Sequence, residues 1–217
     1  MRLSRHFGLA FSLAACALAP LGARAQGSAV ESPRWAYELR GAYFEPGLEQ
    51  FATFYGDDTE RYFSVVGTYR LRDWLELGGE YGSMKETGVG LLTESGTLGG
   101  TVELTLDPIH VFANYIFQRT LEQRVVPYVG VGLFAMRYEQ KVDFQNDIEG
   151  RTDLGGSARA GVRFRITTHQ PSGTSSGGPY WRALAFLEAQ YMSADVDDID
   201  LGGNAVVVGF RMEFDFN

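Results

Sequence analysis

The segment Ala205-Val-Val-Val-Gly-Phe-Arg-Met-Glu-Phe-Asp-Phe216 alternates with a period of two. Val208, Phe210, Met212, Phe214 and Phe216 fall on one face of a strand, and Val207, Gly209, Arg211, Glu213 and Asp215 on the other. A strand sorted this way runs between an apolar and a polar medium. Two architectures satisfy it. A soluble barrel would turn the apolar face inward, and a membrane barrel would turn it outward into lipid.

The N-terminal segment reads as an export signal. Arg2 and Arg5 precede an apolar run from Phe7 to Ala19 that is too short to cross a bilayer. Ala23-Arg24-Ala25 is a small-x-small cleavage site, so residues 1–25 are expected to be removed and 26–217 to form one domain. Leu13-Ala14-Ala15-Cys16 also fits a lipobox, which would make Cys16 a lipidated N-terminus. The apolar run continues past Cys16, and this favours cleavage after Ala25. Cys16 is the chain's only cysteine, so the exported part is expected to carry neither disulfides nor thiolate metal sites. Its 27 acidic residues outnumber its basic ones, which disfavours nucleic acid as a partner. No segment holds the ~20 apolar residues of a membrane helix, so a membrane reading requires a barrel.

Further segments repeat the alternation. Trp35 to Tyr43 sets Trp35, Tyr37, Leu39 and Tyr43 against Glu38 and Arg40. Phe63–Leu71, Leu75–Tyr81, Ile109–Phe117, Tyr128–Tyr138, Ala158–Ile166 and Ala185–Tyr191 do the same, making about eight strands of roughly membrane-spanning length. Tyr128–Tyr138 is ambiguous; Val129, Val131 and Leu133 are assigned outward. In the fourth strand the apolar parity changes at Asp107-Pro108, and because proline cannot donate to a ladder a bulge or strand start is expected there.

Connections alternate in length. Leu71-Arg-Asp-Trp74 and Thr120–Arg124 are short, whereas Glu45–Arg61, Met84–Thr101, Glu139–Gly156 and Ser193–Asn204 are long. His169–Pro179 is a long exception on the short-turn side, and its composition reads as a flexible linker. Trp35, Trp74, Trp181 and Tyr128 begin strands at one rim. Tyr43, Tyr62, Tyr81, Tyr138 and Tyr191 fall near the other, as two membrane interfaces would select.

With its export signal, this strand–loop rhythm, Pro127-Tyr-Val-Gly-Val-Gly-Leu133 and the aromatic final strand, the chain resembles the small eight-stranded outer-membrane barrels of the OmpA-like, OmpX-like and OmpW-like class. The resemblance covers nearly all of the exported part. It implies an all-β, antiparallel, up-and-down transmembrane barrel in the outer membrane of a Gram-negative bacterium, monomeric and in contact with lipid and lipopolysaccharide. It also implies that the barrel assembly machinery reads Phe210, Phe214 and Phe216, although Asn217 displaces the last aromatic by one residue.

In such a barrel Glu38, Arg40, Arg70, Glu76, Glu80, Arg159, Arg163, Arg165, Glu188, Arg211 and Glu213 face the interior. An eight-stranded barrel is only just wide enough for its own side chains, so these charges are expected to pair and plug it. A narrow water or ion path is the alternative. The acidic run Asp195-Val-Asp-Asp-Ile-Asp200 lacks EF-hand spacing and reads as a solvated loop. Barrel enzymes that modify lipid A need a His beside a nucleophile or carboxylate. Only His110 and His169 remain in the exported part, with His110 expected inside near the short-turn rim. The expectation is therefore a non-enzymatic barrel with no catalytic, cofactor or metal residues.

Overall fold

The computed structural model describes residues 33–46, 60–89, 101–120, 122–142, 148–169, 180–193, 195–196, 199–200 and 202–215. The export signal, Phe216 and Asn217, and most of the long connections lie outside these. The strands are β1 (Trp35–Pro46), β2 (Glu60–Arg72), β3 (Leu75–Val89), β4 (Thr101–Ile116), β5 (Val125–Val142), β6 (Ile148–Arg151), β7 (Gly155–His169), β8 (Tyr180–Ser193), β9 (Asp195–Val196), β10 (Ile199–Asp200) and β11 (Gly203–Asp215).

Eight of them form a closed antiparallel wall in the order β4-β3-β2-β1-β11-β8-β7-β5, with β5 returning to β4. The final strand pairs with the first from Trp35↔Phe214 to Pro46↔Gly203, so no wall strand is left with a free edge. On the edge away from β4, strand β5 is long enough for two partners. Its first part pairs with β7 and its end with β6. Between them Thr152 keeps the ladder intact. The Met136 amide donates to Thr152 Oγ1 at 2.9 Å, and the Thr152 amide donates to the Met136 carbonyl at 2.8 Å.

Side-chain facing follows parity through the middle of every wall strand. Leu39, Phe63, Val65, Val111, Val131, Leu133 and Phe210 point outward and are more than half exposed, while the intervening charged residues are buried. The ambiguous β5 resolves with Val129, Val131 and Leu133 outward and Phe134 and Met136 inward. An apolar exterior around a polar interior is the inverse of a water-soluble barrel.

The expected irregularity at Asp107-Pro108 is absent. Strand β4 keeps one register against β3 from Tyr81↔Ile109 to Met84↔Leu106, and against β5 throughout. The sidedness of the wall changes instead. Leu106 and Pro108 remain inward with His110 and Phe112, but the interior around Leu106 is apolar, while Asp107, Thr105 and Glu103 lie on the outer face. Above this level the barrel obeys water-soluble logic, with apolar residues inside and charge outside. The register shifts that do occur lie at the other end, between Arg70 and Arg72 and between Arg165 and Thr167.

Candidate functional site

The interior has two main layers, with a small buried apolar cluster of Ile116, Val126 and Tyr128 at the turn end. The lower one, toward the Asp73-Trp74 turn, is charged. Arg211 on β11 lies at its centre. Its Nε donates to Glu213 at 2.7 Å, one terminal nitrogen reaches Glu38 at 2.5 Å, and the guanidinium spans both oxygens of Glu76. Arg163 donates to the same Glu76 at 2.7 Å and lies 4.3 Å from the Tyr128 ring centre. Toward the turn, Arg70 and Arg182 converge on Glu213 and share the Gln118 side-chain carbonyl, each at 3.1 Å.

Higher up, Arg40 grips Glu38 through two nitrogens at 2.6 and 2.8 Å and reaches Glu188 at 3.0 Å and Glu80 at 3.3 Å. Arg159 donates to Glu80 at 3.3 Å, with its guanidinium 3.8 Å above the Phe112 ring. Phe112 can lie there because its cross-strand neighbours on both sides are glycines, Gly78 and Gly132. Isolated strand glycines of this kind mark a close approach by another group.

The upper layer is apolar. Ala42, Phe44, Tyr62, Met84, Leu106, Phe134, Met136, Phe186, Met192, Ala205 and Val207 form one buried cluster. A pocket lined by Phe44, Tyr62, Met84, Leu106, Pro108, Met136 and Met192 holds a cavity of only about 10 Å³, room for no more than a single water. Arg40 joins the layers, with its guanidinium 5.1 Å from the Phe186 ring centre.

Most residues expected in the interior network are there, buried and paired: Glu38, Arg40, Arg70, Glu76, Glu80, Arg159, Arg163, Glu188, Arg211 and Glu213. Arg165 differs in burial alone. It shares a face with Arg163 but is half-buried at the register shift next to Thr167. Arg182, with 1% exposure, was missed. Parity with Glu188 and Gln190 would have found it had the strand been read back from Ala185 to its true start.

The aromatic residues divide differently from expectation. Trp35, Trp74, Tyr43, Tyr81 and Tyr191 face outward, with Trp181 half-exposed on the same outward parity. At the turn end, Trp35 packs on Tyr69, Trp74 on Tyr115, and Trp181 stacks on His169. Tyr62, Tyr128 and Tyr138 turn inward instead. Tyr62 meets Phe44 edge-on, Tyr128 donates its hydroxyl to Glu188 at 2.7 Å, and Tyr138 packs against the apolar layer. Their height on the strand matched a rim, but their parity put them inside. Phe210 faces outward, more than half exposed, and Phe214 stacks on the outward Tyr37.

His110 lies at the junction of the two layers rather than near the turn rim. Its Nδ1 is 3.3 Å from Glu80, and its ring packs on Phe134. A carboxylate is therefore in reach, but Nε2 has no hydrogen-bond partner. Ser64 donates to Glu80 at 2.7 Å rather than serving the imidazole. His110 is 1% exposed. Among the described residues no group of three or more His, Cys, Asp or Glu side chains could hold a metal ion.

A closed eight-stranded antiparallel wall, apolar outside and charged within, defines the small outer-membrane β-barrel fold. The chain has that fold, and solved structures carry the likeness. Neisserial surface protein A is 16% identical over 82% of this chain and 96% of its own, with a TM-score of 0.51. OprG from Pseudomonas aeruginosa is 11% identical over 85% of this chain and 98% of its own, with a TM-score of 0.53. No protein-family model and no curated protein matches the chain.

Proposed function

We propose that the chain is an integral outer-membrane barrel without enzymatic activity, sealed against solute flow, that serves the envelope structurally or through its surface. The observation that carries this is the filling of the lumen by two layers in series. Arg211 and its carboxylates occupy the lower half, and the Phe44–Phe134–Phe186 cluster occupies the upper. Within the upper cluster, the cavity lined by Phe44, Tyr62, Met84 and Met192 is about 10 Å³, the room of a single water. The enclosure of His110 argues against lipid-modifying chemistry, because acid–base catalysis needs the imidazole within reach of a substrate proton. The fold supports the outer-membrane location. In that setting the long connections face outward, the Asp73-Trp74 turn faces the periplasm, and the outward tryptophans and tyrosines anchor the two interfaces.

Single-channel recording in planar bilayers tests the seal. The expected result is no steady conductance above the bare bilayer. Stable unitary currents would replace this reading with a narrow pore. Mass spectrometry of lipid A from cells with and without the protein tests the absence of enzymatic activity, and an altered acyl pattern would overturn it. Reduced assembly of Phe216→Ala relative to Phe63→Ala, an outward residue 74% exposed, scored by heat-dependent gel mobility, would support recognition of the final strand by the assembly machinery.

A further inference from the structure

The outer face carries two arginines side by side at one defined height. Arg137 on β5 and Arg151 on β6 are direct cross-strand partners, and both are exposed. Like charges directly opposite each other destabilise a strand pair unless something neutralises them. Carboxylates of Glu149, Asp107 and Glu139 stand around Arg137, but only Glu149 comes within ion-pair distance of it. Arg137 stands 3.7 Å from Glu149, with both side chains more than half exposed, and such a contact is worth at most about 1 kcal/mol. Asp107, across from Arg137 on β4, accepts the Ser83 hydroxyl at 2.8 Å. Arg151 joins the ladder opposite Arg137, but its side chain has no hydrogen bond or ion pair with a described residue. The nearby lysines are already engaged, Lys85 with Glu103 at 2.7 Å and Lys141 with Glu139 at 3.0 Å.

Height decides what can meet this pair. The outward face of β5 is apolar from Val125 to Ala135, and Arg137 is the next outward residue. At about 3.3 Å per residue and a tilt of roughly 40°, that apolar stretch rises about 25 Å, the height of the lipid-facing band of such barrels. Two guanidinium forks thus stand in the first charged row above the acyl region. A planar guanidinium binds phosphate oxygens through paired N–H donors, which an ammonium cannot do.

We propose that Arg137 and Arg151 form a binding site for a phosphate of the outer-leaflet glycolipid, lipid A. The proposal rests on the outer-membrane reading and on the long connections facing outward. The phosphate neutralises the opposed arginines, and the apolar face below, including Leu133 and Val131, receives its acyl chains. Specificity comes from combining the two, since neither a free phosphate nor a dephosphorylated lipid satisfies both.

The test uses the folded full-length barrel in detergent, titrated with diphosphorylated lipid A, dephosphorylated lipid A or inorganic phosphate, with adducts counted by native mass spectrometry. Wild type should hold diphosphorylated lipid A at least tenfold more tightly than the dephosphorylated form. Arg137→Gln/Arg151→Gln should remove that preference, and Arg137→Lys/Arg151→Lys should recover only part of it. Lys85→Gln, which removes a lysine already engaged by Glu103, should keep it. Equal retention of the two lipids by wild type, or an unchanged preference in the double glutamine variant, would overturn the site. Displacement of the lipid by millimolar inorganic phosphate would reduce it to a free-anion site and overturn the lipid assignment. Heat-dependent gel mobility is read in parallel. Its absence in wild type would break the barrel reading itself, whereas its presence with no lipid preference would break only this proposal. Should the double variant lose the mobility shift, the single glutamine variants carry the comparison.

Discussion

Arg211 and Glu76 meet across the lumen, although β1 and β2 separate their strands around the wall. Contacts of this kind tie strands that share no ladder. Removing one partner leaves the other charged and buried, at a cost of about 3–5 kcal/mol. Arg211→Ala should therefore lower unfolding stability in detergent–urea titrations by about that much. In an Arg211→Ala/Glu76→Gln double-mutant cycle the two losses should fall short of additivity by about 0.5–3 kcal/mol. Strict additivity would mean that the two residues do not act on each other.

The tyrosines provide a sharper comparison, because the same deletion of one hydroxyl can be made on either face. Tyr128 is buried and donates to Glu188, whereas Tyr43 is 55% exposed. Tyr128→Phe strips a donor from a buried carboxylate and should cost about 1–3 kcal/mol. Tyr43→Phe should change stability by no more than about 0.5 kcal/mol. Equal effects would place both rings in the same environment.

That comparison also marks where the sequence is readable. Across the membrane band, alternation identifies both faces of β1, β2, β7 and β11 residue by residue, because lipid and lumen impose opposite demands. Above the band the demands invert. Leu104 and Leu106 keep the inward parity of Pro108 and His110, but the apolar face has become the inner one, so an unbroken strand looks kinked. Tyr62, Tyr128 and Tyr138 stand at rim height but on the inward parity, and parity decides which face they take. Which carboxylate each arginine meets depends on the stagger of strands around the wall, and a one-dimensional pattern does not carry that.

Gly132 tests the packing of the charged layer. A Cβ there would lie 2.5 Å from the Val111 carbonyl oxygen and 2.8 Å from the Phe112 Cβ, so backbone has to move. Gly132→Ala should destabilise the barrel by about 1–3 kcal/mol and displace the Phe112 ring from beneath Arg159. Gly156→Ala, where a Cβ meets nothing within 4 Å, is the matched control and should be near neutral. A tolerated Gly132→Ala would show that the ring is not confined between its two glycine neighbours.

Two seals in series make a conductance prediction that neither makes alone. Ions crossing the lumen must pass both the Phe134 level and the Arg211 level, and the tighter of the two sets the current. Phe134→Ala removes a fully buried ring, at a cost of about 3–5 kcal/mol, but leaves the charged layer closed. Arg211→Ala opens the charged layer beneath an intact apolar plug, and an apolar constriction resists wetting. Each single variant should stay silent in planar bilayers, and Phe134→Ala/Arg211→Ala should show unitary currents. A conducting Arg211→Ala would mean that the apolar layer does not seal, a conducting Phe134→Ala that the charged layer does not. A silent but folded double variant, verified by its heat-dependent gel mobility, would mean that the remaining arginines and carboxylates re-pair across the gap.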